Sequence, residues 1–241
     1  MKWTLAVIGL CAAGMIQAQD PSLQVTQVSK TEHVDFPAGG TLRLDKSIGE
    51  LTIEGRDQPG MEITTTKSTK NLFTPKDREK ELKDLDNVRV STKLNGNELV
   101  VNTEFPHHTS FPWVSPVSDT TNFDLEYRIM VPRDTKIFVK HNAGEVHLVG
   151  LTGNIEATVP QGLISLWLSG DVTRAIDAKS HIGSVTSDYP GAVTRYPWPL
   201  GHEVKEAPST TAQNLRLRVG YGDIIIRKAF TPPSPDSSQG N

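Results

Sequence analysis

The chain has 241 residues, 36% hydrophobic and 22% charged, with a formal net charge of −3 and one cysteine. That length holds one large all-β domain or two small ones. The charge balance offers no global basic field for nucleic acid, and a lone cysteine excludes an internal disulfide or a thiolate zinc site.

The amino terminus reads as an export signal. Lys2 supplies the positive start, Leu5 to Met15 is a short apolar run, and Ile16 and Ala18 are placed for cleavage after Ala18. The run falls short of the roughly 20 apolar residues of a membrane span, and no later segment is long enough. Cys11 lies inside the run behind Leu10, whereas a lipoprotein signal wants a small residue there. We therefore expect residues 1–18 to be a signal peptide and the mature chain to be exported, periplasmic or extracellular, and free of thiols. Residues 19–40 read as a leader, with a strand around Leu23–Val28.

The stretch TLRLDKSIGELTIEGRD alternates Leu42 and Leu44 with polar residues, turns at Gly49, and alternates again at Leu51 and Ile53. Met61–Thr66 is a threonine-rich strand. Thr74-Pro75 resembles an N-cap with proline in the first helical turn. The charged run behind it, with Leu82 and Leu85 three apart, predicts a short surface helix with one thin apolar stripe. Val88–Thr103 reads as a hairpin turned by Asn95-Gly96. A long loop rich in proline and aromatic residues follows. Phe123–Val131 resumes as a strand, with Leu125, Tyr127, Ile129 and Val131 on one face, and Pro132 ends it.

From Lys136 a nine-residue beat sets in. Ile137, Val146, Ile155 and Ile164 are nine apart, and Val139, Leu148, Ala157 and Leu166 repeat the step two residues later. An apolar pair at i and i+2 marks a strand with one buried face. Gly144, Gly153 and Gly162 precede the pairs, and Gly170 follows one residue early, each marking a corner where a Cβ is excluded. The unit is a short strand plus a turn, stacked on copies of itself. Gly183-Ser184-Val185 looks like a further corner. Asp188–Asn214 is a second long loop. Leu215, Leu217 and Val219, then Gly220 and Gly222, then Ile224 and Ile226 close a single domain over 41–230. The tail, 231–241, has almost nothing to bury and is expected to be disordered.

Two architectures fit this beat: a β-solenoid of parallel coils, or an antiparallel meander or sandwich. Only Asn95-Gly96 has the chemistry of a tight hairpin, and the repeat corners do not, which favours the solenoid. The charged helix and the two long loops would then cap its open ends. A calcium-binding nonapeptide roll is excluded, because Ala143, Thr152 and Gln161 stand where carboxylate ligands would be needed.

The recurrence in GEVHLVGLTGNIEATVPQGLISL resembles the bacterial putative-adhesin family of exported β-strand-repeat domains of unknown function. The terminal corner GYGDIIIRK and the charged helix followed by NVRVSTKLNGNELVV belong to the same pattern, which covers roughly Thr41 to Lys228. The resemblance implies a right-handed β-helix-like domain outside the cytoplasm with no known catalysis. It supplies no catalytic residue to transfer, and the two long loops depart from the plain family pattern.

Candidate site residues are few. Trp113, Trp167 and Trp198 offer flat faces for sugar rings: Trp167 has outward parity beside inward Leu166, while Trp113 and Trp198 sit in the long loops. The plainer reading is that they pack over coil ends. Glu145 and His147 project together from an outer strand face, with Asn154 and Glu156 in corresponding positions one step on, a shallow polar strip or simply a wet sheet face. His107-His108 lacks a nearby carboxylate before Asp119 and reads as a solvated loop. Asp124 and Glu126 share a strand face without converging partners. No nucleophile elbow, zinc-protease motif or phosphate loop is present, so neither catalytic residue, metal nor cofactor is expected. The expected function is a non-enzymatic exported scaffold that binds an unknown protein or glycan. The alternatives are a polysaccharide-active β-helix enzyme and a periplasmic envelope-stress or signalling component.

Overall fold

The computed structural model describes residues 25–69, 78–105, 123–169, 172–197, 200–207, 210 and 212–229. The expected signal peptide, the Thr74-Pro75 cap and the tail lie outside these residues.

The fold is all-β. Its strands are β1 (Gln27–Val34), β2 (Thr41–Arg56), β3 (Met61–Thr69), β4 (Arg89–Asn95), β5 (Glu98–Glu104), β6 (Phe123–Pro132), β7 (Lys136–Val149), β8 (Ile155–Leu168), β9 (Arg174–Ile182), β10 (Val185–Ser187), β11 (Ala192–Arg195), β12 (His202–Glu206) and β13 (Gln213–Lys228), with one helix, α1 (Arg78–Asp86). They form one open sheet in the order β1-β3-β6-β2-β7-β8-β13-β9-β12-β11, with β10 on β13 and the β4–β5 hairpin on β2.

The nine-residue beat resolves into pairs of steps. β7 and β8 pair parallel with Ile137 opposite Ile155, a separation of 18 residues. A straight strand of β7's length would span about 46 Å, yet the connection 150–154 reaches back only about 20 Å. The strand must therefore double back within itself, and it does so at a glycine. Gly49, Gly144, Gly162 and Gly222 lie mid-strand with φ of 88°, 119°, 144° and 129°. They stand in register: Gly49 opposite Gly144, Gly144 opposite Gly162, Gly162 opposite Gly222. Gly183, between β9 and β10, extends the column. A Cβ on any of these glycines would overlap the backbone carbonyl of the neighbouring layer, Leu125 for Gly49 and a glycine for the others. Gly153 is a second kind of corner. It has ordinary φ, but a Cβ there would collide with the Thr135 carbonyl in the return turn.

Each doubled strand thus has two arms, one before and one after its glycine. The apolar pairs of both arms point inward and stack in register. One ladder runs Leu42, Ile137, Ile155, Leu215, Ile176, and another Leu51, Val146, Ile164, Ile224, Val185. All ten belong to a single buried core. At its ends the sheet forks into two walls. The first arm of β2 pairs with β5 and its second arm with β6, while β13 pairs with β9 before its glycine and with β10 after it.

The strand order departs from a plain coil-by-coil stack. β13 inserts between β8 and β9, and the β1–β3–β6 and β9–β12–β11 ends are antiparallel. The sheet is mixed because a turn such as 57–60, with Gly60 at φ 82°, reverses the chain so that β3 runs antiparallel to β6, one strand out from β2, instead of returning it to the start of a coil. The strand expected in the leader around Leu23–Val28 is found as β1 at Gln27–Val34, and it pairs with β3 along its whole length. Two further elements were not anticipated. β11 and β12 lie in the second long loop, where Val204 supplies a buried contact beside Ala178. The hairpin and helix occur as expected, with Asn95-Gly96 at the turn, Gly96 at φ 62°, and Leu85 buried.

Replacing Gly162 by alanine should cost about 3 kcal/mol or more, since it adds backbone strain to an unrelievable overlap. Gly96→Ala meets nothing within 4 Å and should cost only about 1 kcal/mol for its φ. Urea denaturation of the two variants measures the difference.

Candidate functional site

The two outer faces differ in chemistry. On the first arm, one register row reads Arg43, Phe138, Glu156, Arg216, Asp177, Lys205. Arg43 stands 4.9 Å over the Phe138 ring, Arg216 lies 4.0 Å from Glu156, and Arg218 reaches Asp177 from the next row. Alternating charge neutralises this face within itself and leaves a solvated wall.

The second arm carries apolar residues at outward parity. Trp167 is 45% exposed between Val149 and Arg227, and one row in, Ser165 lies between His147 and Ile225. Leu163, nearest the glycine corner, lies between Glu145 and Asp223. A flat indole thus sits on a rigid parallel sheet inside a polar rim. His147 Nε2–H donates to Glu145 at 3.1 Å, and Asp188 accepts from Arg227 Nη1 at 2.7 Å and from the Lys228 amide at 3.2 Å. Both rim groups are held by neighbours on the same surface, so their orientation does not depend on a ligand.

Of the residues singled out from the sequence, Trp167, Glu145 and His147 fall on this one face. Trp113, Trp198 and His107-His108 lie outside the described residues. The expected strip from Glu145 and His147 to Asn154 and Glu156 is not continuous. Glu156 pairs with Phe138 on the first arm, whereas Glu145 and His147 pair with Leu163 and Ser165 on the second. Two steps make one doubled strand, so positions nine apart lie on opposite walls. Val149, Leu163, Ile225 and Arg227 were missed. Their signal was present: Ile224-Ile225-Ile226 puts an isoleucine on the outer face whichever parity is buried.

A concave feature lies at the fork, where a groove of about 420 Å³ opens between β1 and β3 on one side and β4 and the end of α1 on the other. Val28, Ile63 and Val90 give it apolar walls. Lys67 enters it and donates to the Leu85 and Val88 carbonyls at 3.3 and 2.5 Å. Desolvation pulls that amine below its ordinary range. No helix among the described residues is long and apolar enough to cross a membrane. Likewise, no group of three or more His, Cys, Asp or Glu is placed to hold a metal ion among them.

His141 is a buried titratable group away from both features. It is 0% exposed, its Nε2–H donates to the Gly49 carbonyl at 3.0 Å, and its Nδ1 lies 2.8 Å from the Ser47 hydroxyl. The ring fills the bulge where β2 slips register against β7 and Lys46 takes φ 62°. Burial, outweighing contacts to the Gly49 and Ala143 backbone, pushes its pKa down to about 4.

No protein-family model matches the chain, nor does any curated protein. Among solved structures, the chain is weakly similar to a putative cell adhesion protein from Clostridium sporogenes, at 13% identity and a TM-score of 0.47 over 83% of this chain and 100% of that one. It is also similar to a putative adhesin from Bacteroides fragilis, at 12% identity and a TM-score of 0.24 over 87% of this chain and 99% of that one. A third is a putative lipid binding protein from Parabacteroides distasonis, at 11% identity and a TM-score of 0.23 over 66% and 63% of the two chains.

The His141 environment sets a pH window. The unfolded ring titrates near 6.5 and the folded one near 4, so acid favours the unfolded chain. The contribution of His141 should be full above pH 6.5, fall as pH drops, and level off below about pH 4 after a loss of about 3 kcal/mol. Denaturation midpoints of the native chain and His141→Asn across this range isolate it, because only the native chain carries that part of the slope.

Proposed function

We propose that the chain is an exported, non-enzymatic, β-helix-like scaffold that binds a glycan through the outer face of its second arm. The observation that carries this reading is Trp167, a large aromatic half exposed in the last row of the second arm, between Val149 and Arg227 and one row from Ile225. A planar ring of this kind stacks on the C–H face of a sugar, and the Arg227–Asp188 pair beside it and His147 one row in supply hydrogen-bonding groups for its hydroxyls. The support is twofold. The backbone beneath is locked by the glycine column, so the platform is already formed before a ligand arrives. The first-arm face spends its charges on itself, leaving the second arm as the surface with unspent apolar area.

The carboxylates on this face stand in rows along the sheet and do not converge across a cleft, which fits binding better than bond cleavage. Export to the periplasm or beyond follows from the signal-like start of the sequence and belongs to the same proposal.

A glycan array probed with residues 19–241 tests the reading. We expect one or a few glycan classes to be retained, with Trp167→Ala weakening them about tenfold or more and Tyr221→Ala, exposed at the corner, leaving them unchanged. Equal binding by Trp167→Ala would remove the site. New reducing ends or unsaturated products on incubation with the bound glycan would instead identify an enzyme.

A further inference from the structure

The groove at the fork goes beyond the proposed glycan face and has its own logic. β1 is the last strand of one wall and β4 the last strand of the other. Among the described residues, β1 pairs with β3 alone and β4 with β5 alone. Each therefore presents one edge of backbone N–H and C=O groups to the groove mouth without a strand partner among those residues. The walls are joined where the Thr92 hydroxyl donates to Glu32 at 2.7 Å and where Lys67 donates to the Leu85 and Val88 carbonyls. Between these contacts the groove stays open.

The lining indicates what kind of molecule fits. Val28, Ile63 and Val90 make its apolar surface. The charges cancel in neighbouring pairs: Lys30 with Glu32 at 2.5 Å, Lys67 with Asp86 on the groove wall, and Arg89 opposite Glu104 in the hairpin register. An electroneutral, apolar groove beside an open strand edge does not select an anionic amphiphile, for which a surplus of cations would be expected. It suits an extended, uncharged backbone that alternates apolar side chains into the groove and polar ones away from it.

We propose that this groove receives an extended peptide segment that adds to the edge of β1 as a further strand and closes the fork. Main-chain hydrogen bonds to β1 supply most of the recognition, and the pockets beside Val28 and Val90 select small or branched apolar side chains at alternate positions.

The test uses the isotope-labelled chain, residues 19–241, titrated with a short blocked peptide alternating threonine and valine between terminal lysines. We expect saturable shifts confined to the β1 and β4 amides, with slowed hydrogen exchange along β1. The same peptide N-methylated at alternate backbone nitrogens keeps its side chains but loses donors, and should bind about tenfold more weakly or worse. Val90→Lys should abolish the shifts while the β7 and β8 amides keep their positions, and Val28→Lys serves the same purpose should Val90→Lys fail to fold. Three results would overturn the proposal: equal binding of the N-methylated peptide, shifts produced by dodecanoate but not by the peptide, or a concentration-dependent dimer that protects β1 in place of the peptide. Retained glycan binding by Val90→Lys would show that the groove and the Trp167 face act separately.

Discussion

The constraint on which the structure depends is the approach of one backbone to another at the glycine column. From Gly49 through Gly144, Gly162 and Gly222 to Gly183, each layer places a carbonyl where any other residue would carry its Cβ. The positive φ at these positions turns the strand, and the missing side chain lets the next layer sit on the turn. The parallel core needs both properties at once. A residue that tolerated the φ but kept a Cβ, such as asparagine, would still push the layers apart.

Doubling each strand at a fixed point decides what lies inside. Four inward positions per doubled strand stack into continuous ladders, so each buried side chain is covered by like side chains in the layers on both sides. Burial of a Val, Leu or Ile is worth about 1.5–3 kcal/mol, but only if the ladder does not end in water. The ends are covered by the forked walls, with Tyr127 of β6 tied to Thr103 of β5 across the interior at 2.8 Å. That hydroxyl is buried deeply enough for desolvation to push its pKa up to about 12. Corners that interrupt the backbone ladder are filled by side chains. His141 occupies the bulge of β2. Gln213 donates to the Leu151 and Gly153 carbonyls at 3.2 and 2.6 Å, and Arg174 donates to Gln213 at 2.6 Å.

Function in such a frame falls to the parts the core does not use. The outer faces are rigid and flat, and their chemistry can vary without disturbing the ladders beneath. One face is neutralised by alternating charge. The other exposes Trp167, and the fork leaves two strand edges beside an apolar groove. A flat face suits a ring, while an edge suits a chain.

The alternation of Ile137, Val139, Val146 and Leu148, with glycine between the pairs, was enough to show strands with one buried face and crowded turns, because burial and Cβ exclusion act on each residue locally. The outward parity of Trp167 followed from the same alternation. Which arms face each other, and that Glu156 lies on the opposite wall from Glu145, depended on two nine-residue steps making one doubled strand, and a uniform beat cannot distinguish one step per layer from two. The insertion of β13 between β8 and β9, the pairing of β1 with β3, and the groove at the fork were decided by contacts between segments far apart in the chain. Those contacts are selected by the fit of whole faces and edges, and no local pattern of residues encodes them.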